Sequence, residues 1–361
     1  MRGVFVNKAL KSVLVVLLLV LMVASGGLFA FTFTRQSAAY SPDKVELDVE
    51  VHARDQILTC AYKAYGNPDL PYWIAKTLVK NTGKIPVYDF RISYKVGDYT
   101  DWTSGEIYPV IVPGETVRDY CWPSLDPEKI ERLTTKTPVD LVVKYEYKEL
   151  AKPIEDYEKI YLLGKNDFAN TSLPEDQLYT FADSRDNYPF LAAFITPTEG
   201  FTKDLAHSIA GGLSTQTDDN DAYEMLIRIY NRMQELGVKY TQPPDAPGEP
   251  QGITQVTQFP RETIERASGT CVELSIAFCG LLEAVGVRSY LALIPGHCIP
   301  VAELPNSGEW YAIESTMVDS PLPAVDAVNA AAQTLSEASS TGDIIYVDIQ
   351  HWWEKGFVPS W

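Results

Sequence analysis

The chain has little positive charge for its size. Its 361 residues include 30 Lys and Arg against 48 Asp and Glu, which gives a formal net charge of -18. Phosphate binding needs clustered Lys and Arg, so this charge balance argues against nucleic acid as a partner. The composition is otherwise that of a globular protein, with 46% hydrophobic residues, and the length suits two domains of roughly 100 to 200 residues each.

Charged residues are absent from residues 12–34, a stretch that is apolar along most of its length. It is long enough to cross a bilayer. Three basic residues precede it and only Arg35 follows closely, which predicts a cytoplasmic segment at 1–11 and an extracytoplasmic remainder. The alternative is a signal peptide cleaved near the small residues 24–27, which would give a secreted protein. The apolar character resumes after these small residues, so a transmembrane signal-anchor is favoured.

Cysteine and histidine are also scarce, with five and four residues. An odd number of cysteines outside the cytoplasm leaves at least one unpaired within the chain. A disulfide between Cys60 and Cys121 suits an oxidising exterior, but the sequence leaves it open. No recognised metal-ligand spacing is present, so neither a metal nor another cofactor is expected. The residues considered for a zinc site are Cys271, Cys279, His297 and Cys298.

Short runs of alternating apolar and polar residues predict an all-β domain over residues 41–150. About seven such runs in roughly 100 residues are typical of an immunoglobulin-like antiparallel sandwich. Residues 151–188 are mixed and charged, and we interpret them as a connector. The predicted strands are 45–51, 57–64, 74–79, 87–94, 107–112, 116–121 and 139–147.

Residues 189–361 form a predicted second domain of α+β type. Its clearest element is a helix at 221–236 with apolar residues on one face, capped by Asp219 or Asn220 and ended by Gly237. A loop rich in Pro and Gly follows at 241–252 and borders a substrate groove or is a simple surface excursion. Further elements are predicted as a helix at 324–338, a strand at 344–349 and a short helix at 351–356.

Cys271 falls in the first turn of another predicted helix. Residues 268–270 can cap and start this helix, and apolar residues then recur at helical spacing until Gly286. The unpaired backbone N–H groups and the dipole at a helix N-terminus favour a thiolate there. The alternative is a buried, inert cysteine, and this is our interpretation of Cys279 and Cys298.

His297 and Glu314 lie on two predicted strands joined by a turn at residues 305–308. With the loop centred between 306 and 307, residue 299 pairs with 314, so His297 and Glu314 become diagonal neighbours on one face. A loop one residue longer or shorter would place them on opposite faces. Together with Cys271 they would supply a nucleophile, its base and the group that orients the base.

Residues 258–317 resemble the core of transglutaminase-like proteins of the papain-like superfamily, particularly prokaryotic membrane-anchored forms. The shared pattern is Gly-x-Cys at a helix start, then a His after a strand, then an acidic residue after an aromatic and an apolar residue. In this chain the three positions are Cys271, His297 and Glu314. The helix at 221–236 also fits that fold, so the likeness covers roughly residues 190 to 320.

This chain departs from the family pattern at two places. Glu314 stands where most members have Asp, which lengthens the orienting side chain by one methylene. Cys298 and Ile299 stand where many members have small and aromatic residues, which alters the expected groove lining.

The resemblance implies acyl transfer. Cys271 would attack an amide carbonyl, His297 would protonate the leaving amine and Glu314 would hold the imidazole. The Cys271 backbone N–H is the natural first oxyanion donor, and Gln258 or Gln255 is a candidate for the second. Water would release the thioester in a peptidase or deamidase, whereas an amine would give a cross-link. Hydrolysis is favoured, because prokaryotic relatives are more often peptidases.

Two other functions remain open. A catalytically inactive module could keep the fold and act in protein binding or envelope structure, which the departure at Glu314 favours. A structural envelope protein could instead form an intermolecular disulfide through its cysteine. The expected partners are a protein or peptide substrate and the membrane, and the oligomeric state stays open.

Overall fold

A computed structural model describes residues 33–35, 45–148, 150–173, 175–242 and 254–359. The predicted anchor at 12–34 lies outside these ranges except for its last two residues, and most of the predicted loop at 241–252 lies outside them as well. Among the residues that the structure describes, no helix combines the length and the apolar composition needed to cross a bilayer.

The described part of the N-terminal half is built mainly from strands in two sheets. One sheet has the strand order β1-β2-β4-β7 and is antiparallel throughout. The other has the order β3-β9-β8-β5-β6, in which only the short β3 runs parallel to its neighbour. The elements are β1 (Phe33–Arg35), β2 (Leu47–Ala53), β3 (Gln56–Ile57), β4 (Ala75–Asn81), β5 (Val87–Val96), β6 (Glu106–Ile111), β7 (Thr116–Cys121), α1 (Pro127–Ile130), β8 (Thr137–Glu146) and β9 (Ile154–Leu162).

Two segments differ from the sequence-based expectation. The strand predicted at 57–64 is wrong, because Thr59–Gly66 forms a 3-10 helix that buries six of its eight residues rather than every second one. The predicted connector at 151–188 begins with β9, which pairs with β8 along its whole length. Asp156 and Glu158 occupy the half-buried positions of β9, so apolar alternation does not reveal this strand.

One hydrophobic cluster joins the two sheets and continues into the C-terminal half. Every second residue of β8 from Val139 to Tyr145 is buried, as expected for a sheet with one face on a core. The same cluster contains Phe190, Cys271 and Leu291 from the rest of the chain. The two halves therefore share a core, and the segment around Cys271 packs against it.

The described C-terminal half combines helices with a four-stranded antiparallel sheet of order β16-β15-β14-β17. Side chains of α2, α3 and α5 form a second hydrophobic cluster around α5. The elements are β10 (Asp167–Ala169), α2 (Gly200–Ala210), α3 (Asp219–Glu235), β11 (Lys239–Tyr240), β12 (Thr254–Val256), α4 (Pro260–Glu265), β13 (Ser268–Gly269), α5 (Cys271–Ala284), β14 (Ser289–Ile294), β15 (His297–Glu303), β16 (Trp310–Ala312), α6 (Ala324–Thr341), β17 (Ile345–Asp348) and α7 (Ile349–Glu354).

The predicted helix at 221–236 corresponds to α3, but its cap differs from the prediction. Asp218 is the N-cap, and its carboxylate accepts a hydrogen bond from the Asp221 N–H at 3.1 Å. Asp219 instead accepts from the backbone N–H groups of Asn306 and Ser307, at 2.8 and 3.1 Å. The start of α3 thus holds the hairpin loop between β15 and β16.

Candidate active site

Cys271 is the first residue of α5, and the residues before it are held firmly. The Thr270 hydroxyl accepts from the Glu273 N–H at 3.4 Å, and the Glu273 carboxylate accepts from the Thr270 N–H at 2.7 Å. This reciprocal capping box fixes the helix start. A Cβ at Gly269 would lie 3.0 Å from the Thr263 side chain and 3.1 Å from the Glu273 Cβ, so the packing just before Cys271 favours glycine. The predicted position of Cys271 in the first helical turn is confirmed, and the residue is 7% exposed.

The hairpin of β15 and β16 brings His297 to Glu314. Val301 pairs with Ala312, which is the predicted register. The strand ends at Ala312, so Glu314 does not lie on it as predicted but is the N-cap of the 3-10 helix Ser315–Asp319. His297 begins β15 directly after Gly296, whose φ of 72° suits the tight turn from β14. The His297 Nε2 lies 2.8 Å from a Glu314 carboxylate oxygen. The predicted register and the proximity of the two side chains are both confirmed.

Glu314 is held at both its backbone and its carboxylate. Its N–H donates to the Ala327 carbonyl at 3.0 Å, and its second carboxylate oxygen accepts from the Thr316 N–H at 3.2 Å and from the Thr316 hydroxyl. Burial by itself would raise the pKa of Glu314, but the hydrogen bonds from His297 and Thr316 outweigh it and hold the pKa below its usual range. The carboxylate is therefore charged at neutral pH.

His297 forms a hydrogen bond with Glu314, and Cys271 lies close enough to influence the titration of the imidazole. Burial opposes protonation of His297, but the interactions with Cys271 and Glu314 outweigh burial and raise its pKa to about 10. The imidazole is thus positively charged at neutral pH, with a carboxylate as its hydrogen-bond partner and Cys271 nearby.

The other two cysteines of this half belong to the core. Cys279 and Cys298 are fully buried, and burial raises the pKa of both thiols. The Ser275 hydroxyl of α5 donates to the Cys298 carbonyl at 3.0 Å and lies 3.4 Å from the Ser315 hydroxyl. These contacts fix the helix that carries Cys271 against the hairpin that carries His297.

All five cysteines lie in described ranges, and each is a buried thiol that forms no disulfide. The disulfide considered between Cys60 and Cys121 is therefore not formed in this structure. In the same ranges no group of three or more His, Cys, Asp or Glu residues is arranged to hold a metal ion.

The two glutamines considered as oxyanion donors make other contacts. The Gln258 side-chain amide donates to the Ser268 carbonyl at 3.2 Å, and its amide oxygen accepts from Arg266 at 3.1 Å. Gln255 is exposed on β12, where it pairs with Phe168. Among the hydrogen bonds of the described residues, neither glutamine contacts Cys271.

Two residues near Cys271 are not marked by any signal in the sequence. Tyr240 pairs with Gly269 between β11 and β13, and burial followed by the negative charges of Cys271 and Glu314 raises its pKa. Arg185 is half-buried; burial lowers its pKa, and the negative charges of Cys271 and Cys298 act in the opposite direction. Both side chains lie within electrostatic range of Cys271, although Tyr240 and Arg185 belong to segments that are distant from it in the sequence.

The chain matches no protein-family model. No curated protein sequence and no solved structure is similar enough to it to count as a match either.

Proposed function

We propose that this protein is a membrane-anchored, extracytoplasmic cysteine acyl-transfer enzyme of transglutaminase-like type, which hydrolyses amide bonds of proteins or peptides in preference to cross-linking them. One observation carries the proposal: His297 lies 2.8 Å from Glu314 and near Cys271, and its interactions with both residues raise its pKa to about 10. A charged imidazole between a thiol and a carboxylate is the arrangement that activates a nucleophilic cysteine. The membrane location depends on the predicted anchor at residues 12–34.

The reaction uses each of the three side chains in turn. The Cys271 sulfur attacks the amide carbonyl, and the C–N bond breaks as His297 gives its proton to the leaving amine. Neutral His297 then takes a proton from the attacking water, which cleaves the thioester and releases the acid. Glu314 holds the imidazole in one orientation and stabilises its charged form. The Cys271 N–H at the helix start and the Tyr240 hydroxyl are the proposed oxyanion donors.

The test is selective labelling of Cys271 in the folded, full-length chain. A thiol-directed probe such as iodoacetamide at neutral pH should label Cys271 fastest, and mass spectrometry of the digested protein identifies the labelled peptide. Cys271→Ala should abolish fast labelling and the release of new N-termini or ammonia from casein. Incorporation of a tagged amine into casein, which also releases ammonia but creates no new N-termini, would instead indicate cross-linking.

The matched control is Cys60→Ala, which removes a fully buried thiol from the other half of the chain. This variant should label and react as the parent protein does. Fast labelling that persists in folded Cys271→Ala would remove Cys271 from the role of nucleophile.

A second candidate function is a non-catalytic module that binds protein through the same fold. The small exposure of Cys271, 7%, favours it, because a nucleophile must be reached by its substrate. The glutamate at position 314 favours it too. This function predicts slow labelling of Cys271 and no turnover, with Cys271→Ala unchanged in both measurements.

A further inference from the structure

A cleft in the N-terminal half takes no part in the proposed reaction. It lies between the loop after β5 and the segment that joins β7 to α1, and it has a volume of about 520 Å³. This volume falls within the roughly 300 to 1,000 Å³ that is usual for small-molecule sites. Its lining is mostly polar, with Asp, Ser and Thr side chains around two tryptophans, Trp102 and Trp122.

The walls of the cleft are fixed by hydrogen bonds to the sheet. The Thr100 hydroxyl accepts from the Val96 N–H at 2.8 Å, and the Thr103 hydroxyl accepts from the Tyr94 N–H at 2.8 Å. On the opposite wall the Asp126 N–H donates to the Tyr99 carbonyl at 2.8 Å. A ligand would therefore meet a preformed surface, which lowers the entropic cost of binding.

The two tryptophans provide an aromatic surface and an unused donor. Trp102 is 38% exposed, and the Lys144 ammonium lies 3.8 Å from the centre of its ring. Trp122 stacks on Tyr120 with ring centroids 4.9 Å apart. The Trp122 indole nitrogen is buried and has no hydrogen-bond partner among the described residues. A buried tryptophan N–H normally has an acceptor, and a ligand oxygen would supply it.

The charges of the cleft restrict the ligand. Asp98, Asp101 and Asp126 line it, and its one lysine, Lys129, already pairs with Asp126 at 3.5 Å. An anionic ligand would be repelled. No cluster suited to a metal ion occurs in the described ranges. Carboxylates accept hydrogen bonds from hydroxyl groups, and a flat aromatic face suits the C–H face of a sugar ring.

We propose that this cleft binds a neutral saccharide, with a sugar ring packed on Trp102 and its hydroxyls donating to Asp98 and Asp101. A small adjustment of the Trp122 side chain lets a ligand oxygen accept from its indole N–H, which is otherwise buried. Binding at the cleft is independent of the reaction proposed for Cys271, so Cys271→Ala should bind saccharides as the parent chain does. The N-terminal half would then attach the protein to a glycan while the C-terminal half acts on amides.

The experiment is a titration of the full-length chain with neutral oligosaccharides built from glucose, mannose, xylose or N-acetylglucosamine, followed by tryptophan fluorescence. At least one series should give a saturable change. Trp102→Ala should then weaken binding by about tenfold or more, because the stacking surface is lost. Asp101→Asn and Trp122→Phe should weaken it through loss of a charged acceptor and of the indole donor.

The matched control is Trp310→Ala, which removes a tryptophan that is 46% exposed and lies outside the cleft. This variant should bind as the parent chain does, and circular dichroism should show that all variants are folded. The proposal is overturned if none of the four series saturates in the millimolar range, or if binding survives both Trp102→Ala and Asp101→Asn. Binding of choline or a polyamine in place of every saccharide would assign the cleft to cations.

Discussion

Two histidines in this protein each lie beside a glutamate, yet at neutral pH one is expected to be positively charged and the other neutral. In the C-terminal half, the His297 Nε2 is 2.8 Å from Glu314 and the pKa of His297 is raised to about 10. In the N-terminal half, the His52 Nε2 is 3.5 Å from Glu50 and the pKa of His52 is lowered from its usual value of 6.5. A carboxylate neighbour alone does not make a charged imidazole.

The surroundings of each pair explain the difference. Burial opposes the charged form of both histidines. At His52 the charge of Lys76 acts in the same direction as burial, and together they outweigh Glu50. At His297 the interaction with Cys271 adds to that with Glu314 and reverses the outcome. Cys271 at the start of α5 is therefore part of what keeps the imidazole charged.

The largest difference between the two histidines should appear in catalysis. His297→Gln removes the proposed acid and base and should lower amide turnover by roughly 10² to 10⁴-fold. His52→Gln is the matched change and should leave turnover unchanged. Two measurements check this prediction: the rate of amide turnover on casein and the rate of thiol labelling. Equal losses in both variants, with folding intact, would mean that His297 supports the structure alone.

Removing the negative charge beside each histidine should have the next largest effect. Glu314→Gln keeps the shape of the side chain but no longer stabilises the charged imidazole, and turnover should fall by about 10²-fold or more. Glu50→Gln should leave turnover unchanged. Glu314→Asp tests the length of the side chain, since one methylene fewer should lengthen the 2.8 Å contact and lower turnover partly. Faster turnover with aspartate would show that the glutamate is a poor fit to the site.

The raised pKa of His297 also predicts a pH dependence of stability. A group with a raised pKa stabilises the fold fully below its unfolded value, and this stabilisation is lost as the pH rises to the folded value. For His297 the window runs from its usual 6.5 to about 10. The difference in unfolding free energy between the parent chain and His297→Gln, measured with denaturant, should shrink across that window. A difference that grows with pH would contradict the charged imidazole.

Local sequence signals identified much of the proposed site, whereas long-range packing supplied what they missed. Thr270 is a typical N-cap residue and marks the start of α5 in the sequence. The turn at residues 305–308, together with the two-residue period of the flanking strands, predicts the hairpin register. Arg185 and Tyr240 reach the site from distant segments, so no local pattern marks them. No local pattern marks the 3-10 helix at Thr59–Gly66 either. Its residues are buried by packing against the shared core and do not follow the period of a strand or an α-helix.

The smallest predicted effect is a rise in the pKa of His52 toward that of His297. Lys76 is 8% exposed and lies opposite His52 in the β2–β4 register. Lys76→Gln removes its charge, so the pKa of His52, followed by NMR titration of the imidazole protons, should rise. It should remain far below that of His297, because burial is the largest cause of the lowered value and no thiol partner is added. Lys80→Gln, an exposed change on the same strand, should shift it less. If Lys76→Gln leaves the pKa of His52 unchanged, the charge of Lys76 plays no part in the difference between the two histidines.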